Sequence, residues 1–232
     1  MYIINEIREA LRNYLSKINR NMLSVDEFNS ACQYVNSKII RESLNYIDKI
    51  KSGKKRGNYG KTVYNRENMY KEVAKNLLKD AILTYNGTNF DYPNDYSMVR
   101  ALYTSTGREI EQLEAEERFV IVHEDTLPTE NYPVYLEHGD YVEVLPDTIT
   151  SGVTMYYYKQ SPLPNWTYTV VGTDVLFNPS ASDFVDFSLP ESVYDEILRE
   201  MLLYVSGELK QPDIAQLMQS EEQKSEQLKY TE

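Results

Sequence analysis

The most distinctive stretch of the chain is VTMYYYKQSPLPNW, residues 153–166. Its first six residues favour a β-strand, in which side chains point alternately to the two faces of a sheet. Apolar and aromatic side chains fall on both faces, so we expect both faces to be at least partly covered. Pro162 and Pro164 then hold the chain extended as it presents Trp166, the only tryptophan. The stretch predicts one strand of a small antiparallel sheet, followed by a stiff, extended segment that presents aromatic side chains, here called the aromatic ledge (residues 156–166).

This ledge is a candidate contact with another protein, because a proline-stiffened segment loses little entropy when it docks. Aromatic side chains also supply much of the binding energy at protein interfaces. Two interpretations stay open: Trp166 fills the interior of the β-domain, or it anchors a neighbouring protein. The candidate interface residues are Tyr156, Tyr157, Tyr158, Pro162, Pro164 and Trp166.

Other short β-prone runs surround this stretch, at residues 119–122, 133–136, 141–145 and 168–171. Prolines and glycines separate the runs, as they do in small antiparallel sandwiches and barrels. We therefore predict a β-rich domain over residues 90–188.

Helical periodicity dominates on either side of that domain. Apolar residues recur every three or four positions over residues 2–18, 28–40, 69–82 and 193–209. Ser24 and Glu27 form the pattern of a capping box before the second of these segments. The predicted fold class is α+β: a helical bundle of N-terminal helices plus a C-terminal helix, with an inserted small antiparallel β-domain. The predicted segments are an N-terminal helical part (1–89) with a basic loop (49–61), the β-rich domain (90–188), C-terminal helices packing on the N-terminal helices (189–219) and a flexible tail (220–232).

Composition narrows the classes of function. The 232 residues include 21 Tyr but six Phe and one Trp, and the single cysteine, Cys32, cannot form an internal disulfide. No stretch approaches the ~18 consecutive apolar residues of a membrane span, so we expect a soluble protein with no membrane contact. The net charge of −12 argues against a protein whose whole surface binds nucleic acid.

Charge is unevenly distributed along the chain. Residues 108–147 hold 12 acidic and two basic side chains, whereas residues 49–61 hold six basic and no acidic ones. Glycines punctuate the basic segment, which predicts a mobile loop that could follow a nucleic-acid backbone without reading its sequence. A solvated loop with no ligand is the alternative interpretation. The candidate DNA-facing residues are Lys51, Lys54, Lys55 and Arg56.

The sequence offers no catalytic, metal-binding or cofactor-binding constellation. Cys32, His123 and His138 are scattered along the chain, whereas zinc ligands cluster. Cys32 also lies in the apolar stripe of the second helix, which favours a buried structural thiol. The chain has neither a glycine-rich phosphate loop nor a hydrolase signature. We therefore predict no cofactor and no enzymatic activity, with a hydrolase that uses the acidic residues 114–117 as a third hypothesis.

Several short motifs follow one another in a particular order. They are LSVDEFN at residues 23–29, YPNDY at 92–96, LPT at 127–129, YPVY at 132–135, YYYKQSPLPNW at 156–166, SDF at 182–184 and LPE at 189–191. In this order the chain resembles, over residues 2–215, the head-to-tail connector or tail adaptor ring proteins of tailed bacteriophages, especially crAss-like phages of Bacteroidetes. Residues 18–22, INRNM, depart from the family's N-K-x-Q-x-G turn by lacking the glycine.

The resemblance implies a non-enzymatic virion protein, made in the cytoplasm of the bacterial host. Such proteins form a homo-oligomeric ring, commonly a dodecamer, with the portal protein above and tail proteins below. DNA passing through such a ring could contact the basic loop non-specifically. A ring subunit buries much of its surface against its neighbours, which would account for the many tyrosines.

Overall fold

The computed structural model describes residues 2–17, 23–55, 64–114 and 127–208. These residues form two compact units. The helical unit consists of the chain up to residue 76 and from residue 161 onwards, and the sheet unit consists of Leu77–Gln160. The β-rich part therefore begins and ends earlier than the predicted range 90–188.

The helices are α1 (Ile3–Lys17), α2 (Val25–Lys55), α3 (Tyr64–Leu77) and α4 (Tyr194–Glu208), with a short 3-10 turn at Glu191–Val193 before α4. Helix α4 packs against α1 and α2. The apolar stripes predicted from the sequence face this contact. Their buried residues are Ile4, Ile7, Leu11 and Leu15 in α1, Phe28, Ala31, Val35 and Ile39 in α2, and Ile197, Met201 and Val205 in α4.

Helix α1 begins against a carboxylate that is distant in sequence. Asp186 accepts hydrogen bonds from the backbone N–H groups of Ile3, at 3.0 Å, and Ile4, at 2.8 Å. These are two of the N–H groups that an isolated helix leaves without partners. A negative charge at this end also interacts favourably with the helix dipole. Asp186 thus fixes the start of α1.

Helix α2 begins with the predicted capping box, which is confirmed. The Ser24 backbone N–H donates to the Glu27 carboxylate at 2.8 Å, and the Glu27 backbone N–H donates to the Ser24 hydroxyl at 3.3 Å. Hydrogen bonds from the Ser24 side chain and backbone lower the pKa of Glu27. Further along α2, Cys32 is fully buried, and this burial raises the pKa of its thiol. Cys32 is therefore a structural thiol.

The basic segment differs from the prediction. Helix α2 continues to Lys55, so residues 49–55 of the predicted loop 49–61 are helical. Lysine is a good helix former, and positive charge near a helix C-terminus is favourable. Residues 56–61 and the predicted flexible tail, 220–232, lie outside the described residues.

The sheet unit contains one eight-stranded sheet with strand order β1-β8-β4-β5-β6-β7-β3-β2. Neighbouring strands are antiparallel, apart from the parallel pair β5–β6. The strands are β1 (Leu78–Ile82), β2 (Thr84–Tyr85), β3 (Phe90–Asp91), β4 (Tyr96–Tyr103), β5 (Glu109–Gln112), β6 (Val134–Glu137), β7 (Tyr141–Leu145) and β8 (Thr154–Lys159). A separate two-stranded hairpin, β9 (Tyr168–Val171) and β10 (Asp174–Phe177), belongs to the helical unit.

The core of the sheet unit draws on most of its strands. It includes Phe90, Leu102, Ile110, Val142 and Met155, each at most 1% exposed. The turn before β8 contains Gly152, whose φ of +71° suits glycine. A Cβ atom at this position would lie 2.8 Å from the Cβ of Ser105, so the two turns approach too closely for any larger residue.

The fold class predicted from the sequence is wrong. A large mixed sheet of eight strands dominates the described residues, and it is not a small antiparallel domain inserted in a helical bundle. Strands β2 and β3 have two residues each and carry no periodicity that a sequence pattern could reveal. Sequence patterns between residues 78 and 112 therefore did not predict strands β1 to β5.

Strand β1 shows why that half was missed. Residues 78–82 continue the apolar spacing of α3, and the pattern predicts a helix through Ile82. Instead α3 ends at Leu77, and β1 pairs with β8 in the register Leu78↔Tyr158 to Ile82↔Thr154. Leu78 and Ile82 are 42% and 74% exposed, whereas Ala81 packs against the core of the sheet unit, so the apolar stripe is divided between the two faces of a strand.

Candidate interaction site

The β9–β10 hairpin presents apolar side chains to solvent. It turns through Gly172 and Thr173, and Gly172 has a φ of +66°, as the first position of a two-residue hairpin turn often requires. Both strands are rich in β-branched and aromatic residues, which favour this conformation. The side chains of Tyr168, Val170, Val171, Val175 and Leu176 are 46–59% exposed.

The exposed side chains occupy both faces of the hairpin. Val170 pairs with Val175 on one face, and Leu176 pairs with Thr169 on the other. Each strand also pairs with no other strand among the described residues, so both outer edges carry unpaired backbone groups. A hairpin with two apolar faces and two open edges is the kind of surface that another protein covers.

A pocket of about 570 Å³ lies between α1 and this hairpin. Helix α1 contributes polar and charged side chains, and β10 contributes apolar ones. Trp166, in the segment that leads into β9, forms part of the wall. The lining residues are Asn5, Arg8, Glu9, Arg12, Trp166, Thr173, Asp174, Val175, Leu176 and Phe177.

Arg8 is the unusual residue of this pocket. Its side chain lies on the buried stripe of α1, and the residue is only 8% exposed. Its guanidinium carbon lies 4.0 Å from the centre of the Trp166 ring and 4.9 Å from that of Phe28. Burial lowers its pKa, although an arginine remains charged at neutral pH. The Nη1 atom is buried and has no hydrogen-bond partner among the described residues.

Trp166 is held in place by hydrogen bonds. Its indole N–H donates to the Asn5 side-chain oxygen at 3.0 Å, and its backbone N–H donates to the Asn29 side-chain oxygen at 2.8 Å. The Asn29 amide in turn donates to the Trp166 carbonyl at 3.1 Å. The indole also stacks with Tyr168 and Phe177, at interplanar angles of 19°. This network fixes the ring on which the Arg8 guanidinium lies.

Two carboxylates stand among the lining residues, and the charge of Glu9 favours the charged form of Arg8 without forming an ion pair with it. Glu9 and Asp174 are both exposed, and no ion pair joins either of them to Arg8 within the described part of the chain. Arg12, one helical turn from Arg8, is exposed and adds a second positive charge. The pocket therefore combines a buried cation that has no ion-pair partner among the described residues with an apolar wall.

The sequence-predicted interface residues are mostly internal. Tyr157 and Tyr158 are each 3% exposed, and the Tyr157 hydroxyl donates to Asp95 at 2.8 Å. Pro164 and Trp166 are also buried, in the helical unit. Trp166 fills the interior of that unit, whereas the sequence offered the interior of the β-domain or an exposed anchor. Of the six residues, only Tyr156 and Pro162 are exposed.

The other predicted site residues lie in the last turns of α2 or outside the described part of the chain. Lys51, Lys54 and Lys55 belong to the final turns of α2, and Arg56 lies outside the described residues. Glu114 is exposed just after β5, whereas residues 116 and 117 of the acidic cluster lie outside. The described Glu114 is not among the residues that line the pocket.

The described ranges contain neither a metal-binding cluster nor a membrane-spanning helix. No three His, Cys, Asp or Glu side chains there are close enough to hold a metal ion. Within the same ranges, no helix has the length and apolar character that crossing a membrane requires.

Comparisons with known proteins leave the family of this chain open. No protein-family model matches it, and no curated protein matches it significantly in sequence.

The sequence did contain a signal for the pocket. Arg8 follows Ile4 by four positions and precedes Leu11 by three, so its position falls on the apolar stripe of α1. A charged residue on a buried stripe is unusual and points to a partner or a function. The tertiary contacts with Trp166, 158 positions later in the chain, carried no such local signal.

Proposed function

We propose that this protein is a structural subunit of the head-to-tail connector of a tailed bacteriophage. The ordered motifs over residues 2–215 support the family, and the exposed apolar β9–β10 hairpin supports assembly. The hairpin is the observation that carries the proposal, because a free subunit gains nothing by exposing apolar side chains on both faces of a sheet.

In this proposal the protein acts by contact and catalyses no reaction. Copies of the chain form a closed ring, with twelve subunits as the expected number, beneath the portal protein and above the tail proteins. The protein is made in the host cytoplasm and resides in the virion. In a closed ring, one face of each subunit meets a different face of the next. The hairpin is one such face or the contact with a neighbouring ring.

The test uses the chain together with the portal protein of the same phage. Electron microscopy of the mixture should show rings attached to portals for the wild-type protein. A variant with Val171→Ser and Leu176→Ser keeps the hairpin turn but removes apolar surface, and it should lose attachment or ring formation. Leu127→Ser, at a residue that is 62% exposed in the sheet unit, is the matched control. Assembly by the double variant at wild-type levels would contradict the proposal.

A second candidate function is non-specific nucleic-acid binding through the basic segment. The observation in its favour is that Lys51, Lys54 and Lys55 follow one another at helical spacing on the end of α2. Binding should weaken with salt, since each phosphate contact releases counterions. Neutralising Lys51, Lys54, Lys55 and Arg56 to Gln should then abolish binding to single- and double-stranded DNA. An unchanged affinity in that variant would refute it.

A further inference from the structure

We infer that the pocket between α1 and the β9–β10 hairpin binds a carboxylate from a partner protein, presented on a segment with a large apolar side chain beside it. The chemistry of the ligand follows from Arg8 and its surroundings. Only the identification of the partner as a protein of the connector rests on the proposed function.

The first step concerns the charge of Arg8. A buried cation without a counter-ion or a full set of hydrogen bonds is costly, because it has lost its hydration and gained little in return. The rings of Trp166 and Phe28 compensate part of that loss through cation–π contacts. Nη1 is closed off from solvent, but no hydrogen bond joins the other guanidinium N–H groups to a described residue, so those groups remain for a ligand in the pocket. An acceptor that carries negative charge completes the site.

The second step concerns the shape of the acceptor. The guanidinium is planar and presents parallel N–H groups, which match the two oxygens of a carboxylate. The guanidinium carbon lies 4.0 Å from the centre of the fixed Trp166 ring, and Asp186 fixes the start of the helix that carries Arg8. A donor that is already oriented loses little entropy when it binds. Since Glu9 and Asp174 also line the pocket, a singly charged carboxylate is favoured over a multiply charged phosphate.

The third step concerns the size of the ligand. The apolar wall formed by Val175, Leu176 and Phe177 continues onto the exposed Val170 and Val171 of the same hairpin. A small organic acid would fill the pocket and leave that surface in water. An extended protein segment covers both, and its backbone can pair with an open edge of the hairpin. The occupant is therefore an Asp or Glu side chain in an apolar segment.

Trp166 supplies the assay, since it is the only tryptophan and lies in the pocket wall. The full chain is titrated with the peptide acetyl-Ser-Leu-Glu-Phe-Ser-amide, and tryptophan emission is recorded under excitation that tyrosine does not absorb. The matched peptide carries Gln in place of Glu. We expect saturable changes in emission, with the Glu peptide binding about 10–100-fold more tightly, as a charge-assisted hydrogen bond to a buried guanidinium implies.

Two variants separate the pocket from general charge effects. Arg8→Met keeps the length of the side chain and should bind both peptides equally, with the affinity that the wild-type protein has for the Gln peptide. Arg41→Met, at an exposed position of α2, should keep the wild-type preference. Without peptide, the unfolding temperature of Arg8→Met should not fall below that of the wild type, since the variant no longer buries an unpaired charge.

The peptide comparison on the wild-type protein needs no variant, so it decides the inference even where Arg8→Met fails to fold. Equal affinity for the two peptides, or no change in emission with either, would overturn it. A preference for the Glu peptide combined with normal assembly of the hairpin double variant would support the pocket and refute the proposed hairpin contact. Conversely, if the wild-type protein assembles, the hairpin double variant does not, and the two peptides bind equally, the hairpin contact is supported and the carboxylate site is refuted.

Discussion

Replacing Asp186 with alanine should destabilise the helical unit. The carboxylate accepts three backbone hydrogen bonds, from Ile3, Ile4 and its own neighbour Phe187. Loss of a helix cap typically costs about 1 kcal/mol, and each further partly buried bond costs about 0.5–1.5 kcal/mol. The expected loss is therefore about 2–4 kcal/mol. For a chain of this size, that corresponds to a fall in unfolding temperature of roughly 4–16 °C.

The assay is thermal unfolding followed by tryptophan emission, because Trp166 contacts α1 through Asn5 and Arg8 and reports on this unit. Asp186→Asn keeps one acceptor oxygen and loses the charge, so it should fall between the wild type and Asp186→Ala. Asp183→Ala is the control. Within the described part of the chain, this exposed carboxylate accepts one hydrogen bond, from Asn165 at 3.3 Å, and its loss should cost less than ~0.5 kcal/mol. An unfolding temperature for Asp186→Ala equal to that of the control would refute the reasoning.

Three further predictions concern other contacts. Gly152→Ala should lower the free energy of unfolding in urea by roughly 1–3 kcal/mol, because it combines a positive φ with a clash against Ser105. Adding Ser105→Gly should restore part of the loss. An unchanged free energy of unfolding in the single variant would contradict the geometry. Hydrogen bonds from Lys79 and then Tyr157 lower the pKa of Asp95, so they stabilise the fold above about pH 4 and this stabilisation is lost as the pH falls further; Asp95→Asn should flatten the acid limb of a stability–pH curve. Burial, followed by the Asp95 hydrogen bond, raises the pKa of Tyr157 to about 12, so stability should fall above about pH 10, where the unfolded chain loses that proton, and Tyr157→Phe should fall less steeply.

The elements that the sequence predicted are those whose local pattern and tertiary environment agree. Helix α1 buries the stripe that its spacing predicts, and the Ser24–Glu27 capping box forms as written in the sequence. Strands β7 and β9 have the predicted ranges, residues 141–145 and 168–171. In each case the pattern that determines the helix, cap or strand lies within a few consecutive residues.

The elements that the sequence missed depend on partners far along the chain. Strand β1 continues the spacing of α3, and only its pairing with β8 makes it a strand. The parallel pair β5–β6 joins Glu111 to Val134 and has no local signature. Trp166 was correctly singled out as unusual, but its place under Arg8 follows from the packing of α1 against a segment more than 150 residues away. Periodicity therefore identified helices well and the sheet poorly.

The base of the β9–β10 hairpin, here called its root, is packed against other residues, whereas its turn end, here called its tip, is exposed. At the root, Phe177 contacts the rings of Tyr2, Phe184 and Trp166. At the tip, Val171 and Gly172 pair with no strand outside the hairpin among the described residues, so replacing them shifts the register of no other described strand pair. Mutations at the tip therefore change the exposed apolar surface of the hairpin without changing the strand pairing of the rest of the described chain. Among natural variants we expect the root to change slowly, while the tip diverges along with the surface it meets.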